Sequence, residues 1–362
     1  MFSFIPRKYI LSQFRRDKSK EYKFLIIRDG LIGDTVFITP VVYKLYNSYK
    51  NSEIDVVISN NSKEILEDYP GINKIFPLPQ EFSLKKHILF FLSLRKNKYD
   101  CVFIQEVNTH YTIMSKLLRS KMNIGFKNGV SFLQDISVQR KGHSVPAEQL
   151  LVNCILQETN IDSTKLYISE KETLKAKELL QKKLISNKKI IAIQTTCSEK
   201  NSIRQLSLEK IAKLADALNY NFSIQIIFLG VNSDIPEVEY VRKNMKSKSL
   251  SLCGETNLKN LVAILKEVSL IIGPDTGTLH IANAIGTPVI MYMGYSDPND
   301  TGPWDKNNKS KIITANLECI PCKFSNPKPK NWDYCKKNRP ALCMDAINID
   351  DFINNAKIFL NS

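Results

Sequence analysis

Residues 268–294 read VSLIIGPDTGTLHIANAIGTPVIMYMG. An apolar run of strand length stops at Asp275, and Thr276-Gly277 lead into TLHIANAI, a small-residue segment of helical period that carries one of four histidines. After Gly286 and Pro288 a second apolar run begins. A strand, a helix and a strand in such close succession form the repeating unit of a parallel sheet. The stretch therefore predicts a doubly wound α/β domain with Asp275 at the C-terminal edge of a strand, where open sheets of this kind bind ligands.

Working outward, the same alternation covers the chain. KKIIAIQTT and FSIQIIFLG read as strands, with LSLEKIAKLADAL and NLKNLVAILKEV as amphipathic helices beside them. In the first half KFLIIRD, EIDVVIS, KIFPLP and YDCVFIQE are strand-like, separated by helical TVFITPVVYKLYNSYK, NSKEILEDYPGI and FSLKKHILFFLSLRKNK. The charged segment KETLKAKELLQKKLISNKK has no strand character and marks a boundary near residue 175. The expectation is two Rossmann-like domains, residues 1–175 and 176–345, and a C-terminal helix, 346–362, that packs back on the first. A cleft between the two sets of strand ends would be the binding region.

A chain of 362 residues with 43% hydrophobic and 24% charged side chains is a globular protein large enough for two cores. It has no stretch of about 20 apolar residues to span a bilayer. Its N-terminus, MFSFIPRKYILSQFRRDKSK, lacks the order of charges and the cleavage site of a signal peptide, so a cytoplasmic protein is expected. The net charge of +15 favours an anionic partner: nucleic acid, an acidic membrane surface or a phosphorylated substrate. It fits a solvated lysine-rich surface equally well. No helix-turn-helix, zinc-finger spacing or RNA-binding signature is present, which argues against nucleic acid.

Four segments carry chemistry. Past Asp275, the unpaired amides of Thr276, Gly277 and Thr278 would open a helix, a ready cradle for phosphate, with His280 one turn in. FLIIRDGLIGDTVFITP is a second strand–glycine–helix junction, and it places Asp34 at a helix N-terminus. In IAIQTTCSEKNSIRQLSLEK, Thr195 and Thr196 end a strand ahead of a loop with Lys200 and Arg204, hydroxyls and cations suited to a diphosphate. FLGVNSD ends a strand with Asp234, a carboxylate placed to hold ribose hydroxyls. Each has a plain structural alternative: helix caps for the aspartates, a core histidine, a polar loop.

Together these segments resemble glycosyltransferase family 9, the bacterial heptosyltransferases that build lipopolysaccharide core from ADP-heptose. LIIRDGLIGDTVFITPVVYKLYNSYKNSEIDVV is similar to the family's opening, LIIGPDTGTLHIANAIGTPVIMYMGYSDPNDTGPW to its signature block, and RSKMNIGF and the CIPC…CM close also fit. The resemblance implies a GT-B fold, two facing Rossmann-like domains with the acceptor mostly in the first and the nucleotide-sugar in the second. It implies inverting, metal-independent transfer with no cofactor required. Asp34 matches the general base, Thr195 and Thr196 hydroxyls near the diphosphate, and Asp234 the ribose contact. Asp275, Thr276, Gly277 and His280 match the block that holds heptose and phosphates. The family's catalytic Lys followed two residues later by Trp-Pro is replaced by RQLS, which puts Arg204, or else Lys200, in the cation's place and leaves another nucleotide-hexose donor open. A sugar-nucleotide binding module without turnover is the non-enzymatic alternative.

Two features stand apart. Cys319, Cys322, Cys335 and Cys343 have a spacing compatible with a tetrahedral zinc or iron site or with free thiols packed in a loop, whereas Cys101, Cys154, Cys197 and Cys253 lie on apolar segments as core residues. Residues 1–23 hold seven basic and two acidic side chains interleaved with Phe2, Phe4, Ile5, Tyr9, Ile10, Leu11 and Phe14. Residues 82–98 mix Phe82, Phe90 and Phe91 with Lys85, Lys86, Arg95, Lys96 and Lys98. Both are candidates for lying on the anionic inner face of the bacterial inner membrane.

Overall fold

The structure is a computed structural model that describes residues 7–183, 188–197, 203–304, 306–322, 335 and 341–360. The chain forms two compact units, Met1–Tyr167 and Ile168–Ser362. The division falls ahead of the charged helix Glu170–Lys183, which belongs wholly to the second unit, so the chain parts earlier than residue 175.

The first unit holds β1 (Lys23–Arg28), β2 (Glu53–Ile58), β3 (Ile72–Pro77), β4 (Cys101–Ile104), β5 (Met122–Phe126) and β6 (Ile136–Val138). They form one parallel sheet in the order β3-β2-β1-β4-β5-β6. The second unit holds β7 (Lys189–Gln194), β8 (Ile224–Leu229), β9 (Ser249–Ser251), β10 (Leu270–Pro274), β11 (Val289–Tyr292) and β12 (Ser310–Ile313). Its order, β12-β11-β10-β7-β8-β9, is the same winding repeated. In each sheet the winding reverses between the first and fourth strands, β1/β4 and β7/β10, and ligands of doubly wound folds bind beyond the carboxyl ends at that switch.

The central strands are apolar without alternation because helices cover both faces. Phe24, Leu25, Ile26 and Ile27 are all buried, as are Ile226, Ile227 and Phe228. The helix Leu208–Asn221 shows how a flanking element is specified. Ser207 caps it by accepting from the Lys210 amide at 3.2 Å, and Ile211, Leu214, Ala215 and Leu218 fall on one face and are buried. Burying each isoleucine or leucine of that face contributes about 1.5–3 kcal/mol.

One expectation is corrected. The C-terminal helix Ile349–Leu360 packs into the second unit's own core, burying Phe352, Ile353, Ala356 and Leu360 with Tyr292 at its centre. Of the scattered cysteines, Cys101, Cys197 and Cys253 are buried in the core as expected, whereas Cys154 is only half-buried. Among the described residues no helix is long and apolar enough to cross a membrane.

Candidate functional site

Each unit presents its own cluster at its switch point. In the first, β1 runs out at Arg28, and the turn through Gly30 leads into the short helix Ile32–Phe37. Asp34 sits in that helix's first turn, where one carboxylate oxygen accepts the Leu31 amide at 2.9 Å, the capping role that sequence alone also allowed. Gly30 is needed beneath it: its φ is +149°, and a Cβ there would lie 2.6 Å from the Asp34 carboxylate. The other oxygen takes the Arg28 guanidinium at 2.6 Å. Asp34 nonetheless keeps 34% of its side-chain surface exposed.

Arg28 is the hub of a cluster that sequence reading missed. Its guanidinium also donates to Glu106, just past β4, at 2.9 Å, and lies 3.4 Å from Glu148 on the helix Ser144–Leu156. Glu148 is completely buried, and burial pushes its carboxyl up to about 7 despite Arg28. Burial likewise pushes Glu106 up to about 8, with Arg28 opposing. Three carboxylates thus share one guanidinium across the β1/β4 switch. Arg28 and Glu106 could have been suspected, since both end apolar strands on a charge, as Asp275 does. Glu148 lies in a helix with nothing in its sequence to single it out.

In the second unit the switch lies between β7 and β10, which pair Ile193 with Ile272. Thr195 and Thr196 follow β7 and are both buried. Among the described residues the Thr195 hydroxyl has no hydrogen-bond partner, and neither does the buried hydroxyl of Thr276 at the start of the helix Gly277–Ile285. Two such hydroxyls past neighbouring strands suit a ligand rich in acceptor oxygens. The first amides of that helix, at Gly277 and Thr278, point the same electrostatic way.

Asp275 holds this edge together. One of its oxygens lies 3.1 Å from the His280 Nε2, and the other lies 3.5 Å from the Arg204 guanidinium and from the Thr301 hydroxyl. Arg204 also donates to the Asp275 carbonyl. Burial acts to raise the Asp275 pKa, but the His280 hydrogen bond and charge, then Arg204, outweigh it and hold the carboxyl down at about 2. Arg204 and His280 are therefore gathered on Asp275, and a ligand there would meet a braced ion cluster. Lys200 lies outside the described residues. Asp234, past β8, accepts the Val231 amide at 2.9 Å, repeating in the second unit the turn that Asp34 makes in the first. Gly230 is its counterpart to Gly30, with an added Cβ 2.7 Å from the Asp234 carboxylate.

The C-terminal cysteines converge on the buried Cys343, whose thiol is pushed up to about 12 by burial and by Cys322, Cys335 and Cys319 nearby. Among the described residues, no three His, Cys, Asp or Glu side chains are arranged to hold a metal ion. Of the two basic amphipathic segments, the helix Arg7–Arg16 turns Ile10 and Phe14 into its own unit, with Phe14 against the Tyr22 ring at 4.8 Å. Phe2, Phe4 and Ile5 lie outside the described residues. The helix Leu84–Leu94 instead exposes Leu84, Leu89 and Leu92 beside Lys85 and Lys86.

The family model for glycosyltransferase family 9 (heptosyltransferase) matches residues 89–332. The lipopolysaccharide core heptosyltransferase OpsX of Haemophilus influenzae is 24% identical over 92% of the chain and 95% of its own length. The lipopolysaccharide heptosyltransferase 1 of Campylobacter coli is 28% identical over 92% of the chain and 98% of its own. The solved structure of the ADP-heptose lipopolysaccharide heptosyltransferase II of Escherichia coli superposes with a TM-score of 0.74 at 18% identity, covering 94% of this chain and 98% of that one. The shared fold is the GT-B class of α/β protein.

Proposed function

The chain belongs to glycosyltransferase family 9, and on that footing we propose that it transfers heptose from ADP-heptose to a lipopolysaccharide core acceptor, with inversion and without a catalytic metal. The observation that carries the reading is the pair of orphaned hydroxyls, Thr195 and Thr276, beside the free amides of the helix at Gly277. A leaving diphosphate needs donors fixed in advance where its charge develops, and hydroxyls, helix amides and a braced arginine supply them. Asp275, Arg204 and His280 set the shape of that edge, and Asp234 holds the nucleotide ribose.

Inverting displacement also needs one base to take the proton of the acceptor hydroxyl as it attacks the anomeric carbon. Asp34 is that base. It is partly exposed at a switch point, held in orientation by Arg28 and the Leu31 amide. The acceptor hydroxyl's oxygen bonds to carbon, the glycosidic bond to phosphate breaks, and its electron pair leaves on the nucleoside diphosphate. Asp34 keeps the proton until solvent removes it.

A donor panel tests the proposal. The purified chain, in chelator, is offered ADP-heptose and other ADP-, UDP- and GDP-hexoses with a truncated core acceptor. A heptose-bearing product from ADP-heptose is expected. Product from another nucleotide-hexose alone would move the donor to that sugar, the alternative that RQLS in place of Lys-x-Trp-Pro favours. Tight binding without product would leave a binding module.

Thr195→Val separates the ligand role of its hydroxyl from a structural one. Removing an unpartnered buried hydroxyl is expected to leave the empty protein as stable or about 1 kcal/mol more stable. Calorimetry should show donor affinity falling about tenfold; a loss of stability with affinity unchanged would contradict the role.

Two further readings accompany the function. The thiols of Cys319, Cys322, Cys335 and Cys343 are of the kind that hold a soft or borderline metal such as zinc or iron in a structural role. Metal analysis should find about one zinc or iron per chain, lost in Cys322→Ser; metal-free protein would remove the site. The exposed leucines and lysines of the helix Leu84–Leu94 suit peripheral attachment to anionic lipid at the cytoplasmic face of the inner membrane.

A further inference from the structure

A cavity of about 310 Å³ opens in the first unit beyond the ends of β1, β2 and β3, lined by Asp29, Asn60, Asn61, Gln80, Phe82 and His87 among others. Its size is near the lower end of small-molecule sites, about 300–1,000 Å³, enough for a sugar unit or two and too small for a lipid. Phe82 is 74% exposed at the cavity, so its ring face is open to a ligand. The ring is nevertheless held in place by edge contacts to His87 and His110, at 5.1 and 5.3 Å between centroids. Those two imidazoles are themselves bonded, His87 Nδ1 to His110 Nε2 at 2.8 Å. An exposed yet fixed aromatic face is the platform on which the C–H face of a pyranose packs.

Around that platform the polar groups suit hydroxyls. Asp29 is oriented by the Tyr111 hydroxyl, which donates to it at 2.6 Å, leaving the other carboxylate oxygen to accept from a ligand. The side-chain amides of Asn60, Asn61 and Gln80 make no hydrogen bond to any described residue, and each offers both a donor and an acceptor. Among the described residues no lysine or arginine lines the cavity, and the one charged lining group is the Asp29 carboxylate. Burial holds the His87 and His110 imidazoles below the ordinary histidine range, so neither supplies a positive charge near neutral pH. A phosphate would therefore be repelled, despite the basic character of the chain as a whole.

We infer that this cavity is a specificity subsite for an uncharged sugar ring of the acceptor, stacked on Phe82 and read by Asp29 and the three amides. The inference rests on the transferase reading for the word acceptor, but the sugar site is testable without it. Methyl pyranosides of gluco, galacto and manno configuration, each beside its 6-phosphate, are titrated into the full chain and followed by saturation-transfer NMR. At least one neutral pyranoside is expected to bind, and more tightly than its 6-phosphate. Phe82→Ala, at an exposed position, should weaken it about three- to tenfold, with Phe82→Tyr restoring it. Gln80→Ala should weaken it through a lost hydrogen bond.

Absence of neutral-sugar binding, tighter binding of the phosphates, or indifference to Phe82→Ala would overturn the subsite. ADP-heptose binding and turnover are measured on the same protein. If those stand while the sugar result fails, only the subsite falls. If sugar binds but ADP-heptose does not, the transferase reading fails and the sugar site remains.

Discussion

Arg28→Met is expected to destabilise the first unit by about 3–5 kcal/mol, because it strands a completely buried Glu148 and a half-buried Glu106 without their shared countercharge. Methionine fills much of the same volume, so the loss is electrostatic rather than a cavity. Denaturant unfolding of the variant should show it directly, and Glu148→Leu added to Arg28→Met should recover part of it. The loss should also depend on pH in a defined direction. Both glutamates bind protons more tightly folded than unfolded, with carboxyls pushed up to about 7 and about 8. Their contribution therefore favours folding below the usual carboxylate range and is lost as pH rises through those values. The variant should fall furthest behind the wild type near pH 8 and least near pH 5. An equal deficit at both would place the cost in packing.

The same cluster shows where sequence stops being informative. The two Rossmann sheets were legible because their central strands, such as KFLIIR and IQIIFL, are buried on both faces and so apolar throughout. Of the outer strands only β3 was, as KIFPLP. Met122–Phe126, Ile136–Val138, Ser249–Ser251 and Ser310–Ile313 went unread, and apart from the first they are short and only partly buried. Their strand character comes from the neighbour they pair with. The C-terminal helix was legible as a helix, but its docking was not, since the amphipathic pattern says that Phe352 and Ile353 are buried and not against what.

The candidate residues divide in the same way. Asp34, Asp234 and Asp275 could be found because an apolar strand or its turn ending on a carboxylate is a local signal. The shared turn geometry of Asp34 and Asp234, and the capture of Arg204 and His280 by Asp275, needed coordinates. So did the Phe82 platform, whose histidines lie 23 residues apart.

The role of Asp34 as the base is tested most directly by Asp34→Asn. Asparagine keeps the shape and can still accept the Leu31 amide, but it cannot take a proton from the attacking hydroxyl. Removing a general base costs about 10²–10⁴-fold in rate. On the proposed mechanism the nucleotide-sugar is held by residues of the second unit, so its affinity should stay within a few-fold of wild type. The measurement is the initial rate of heptose addition to a truncated core acceptor, paired with calorimetric ADP-heptose affinity on the same preparation. A rate collapse of that size with donor affinity preserved is the expected result. A rate within a few-fold of wild type would remove Asp34 from the chemistry and contradict the proposed mechanism.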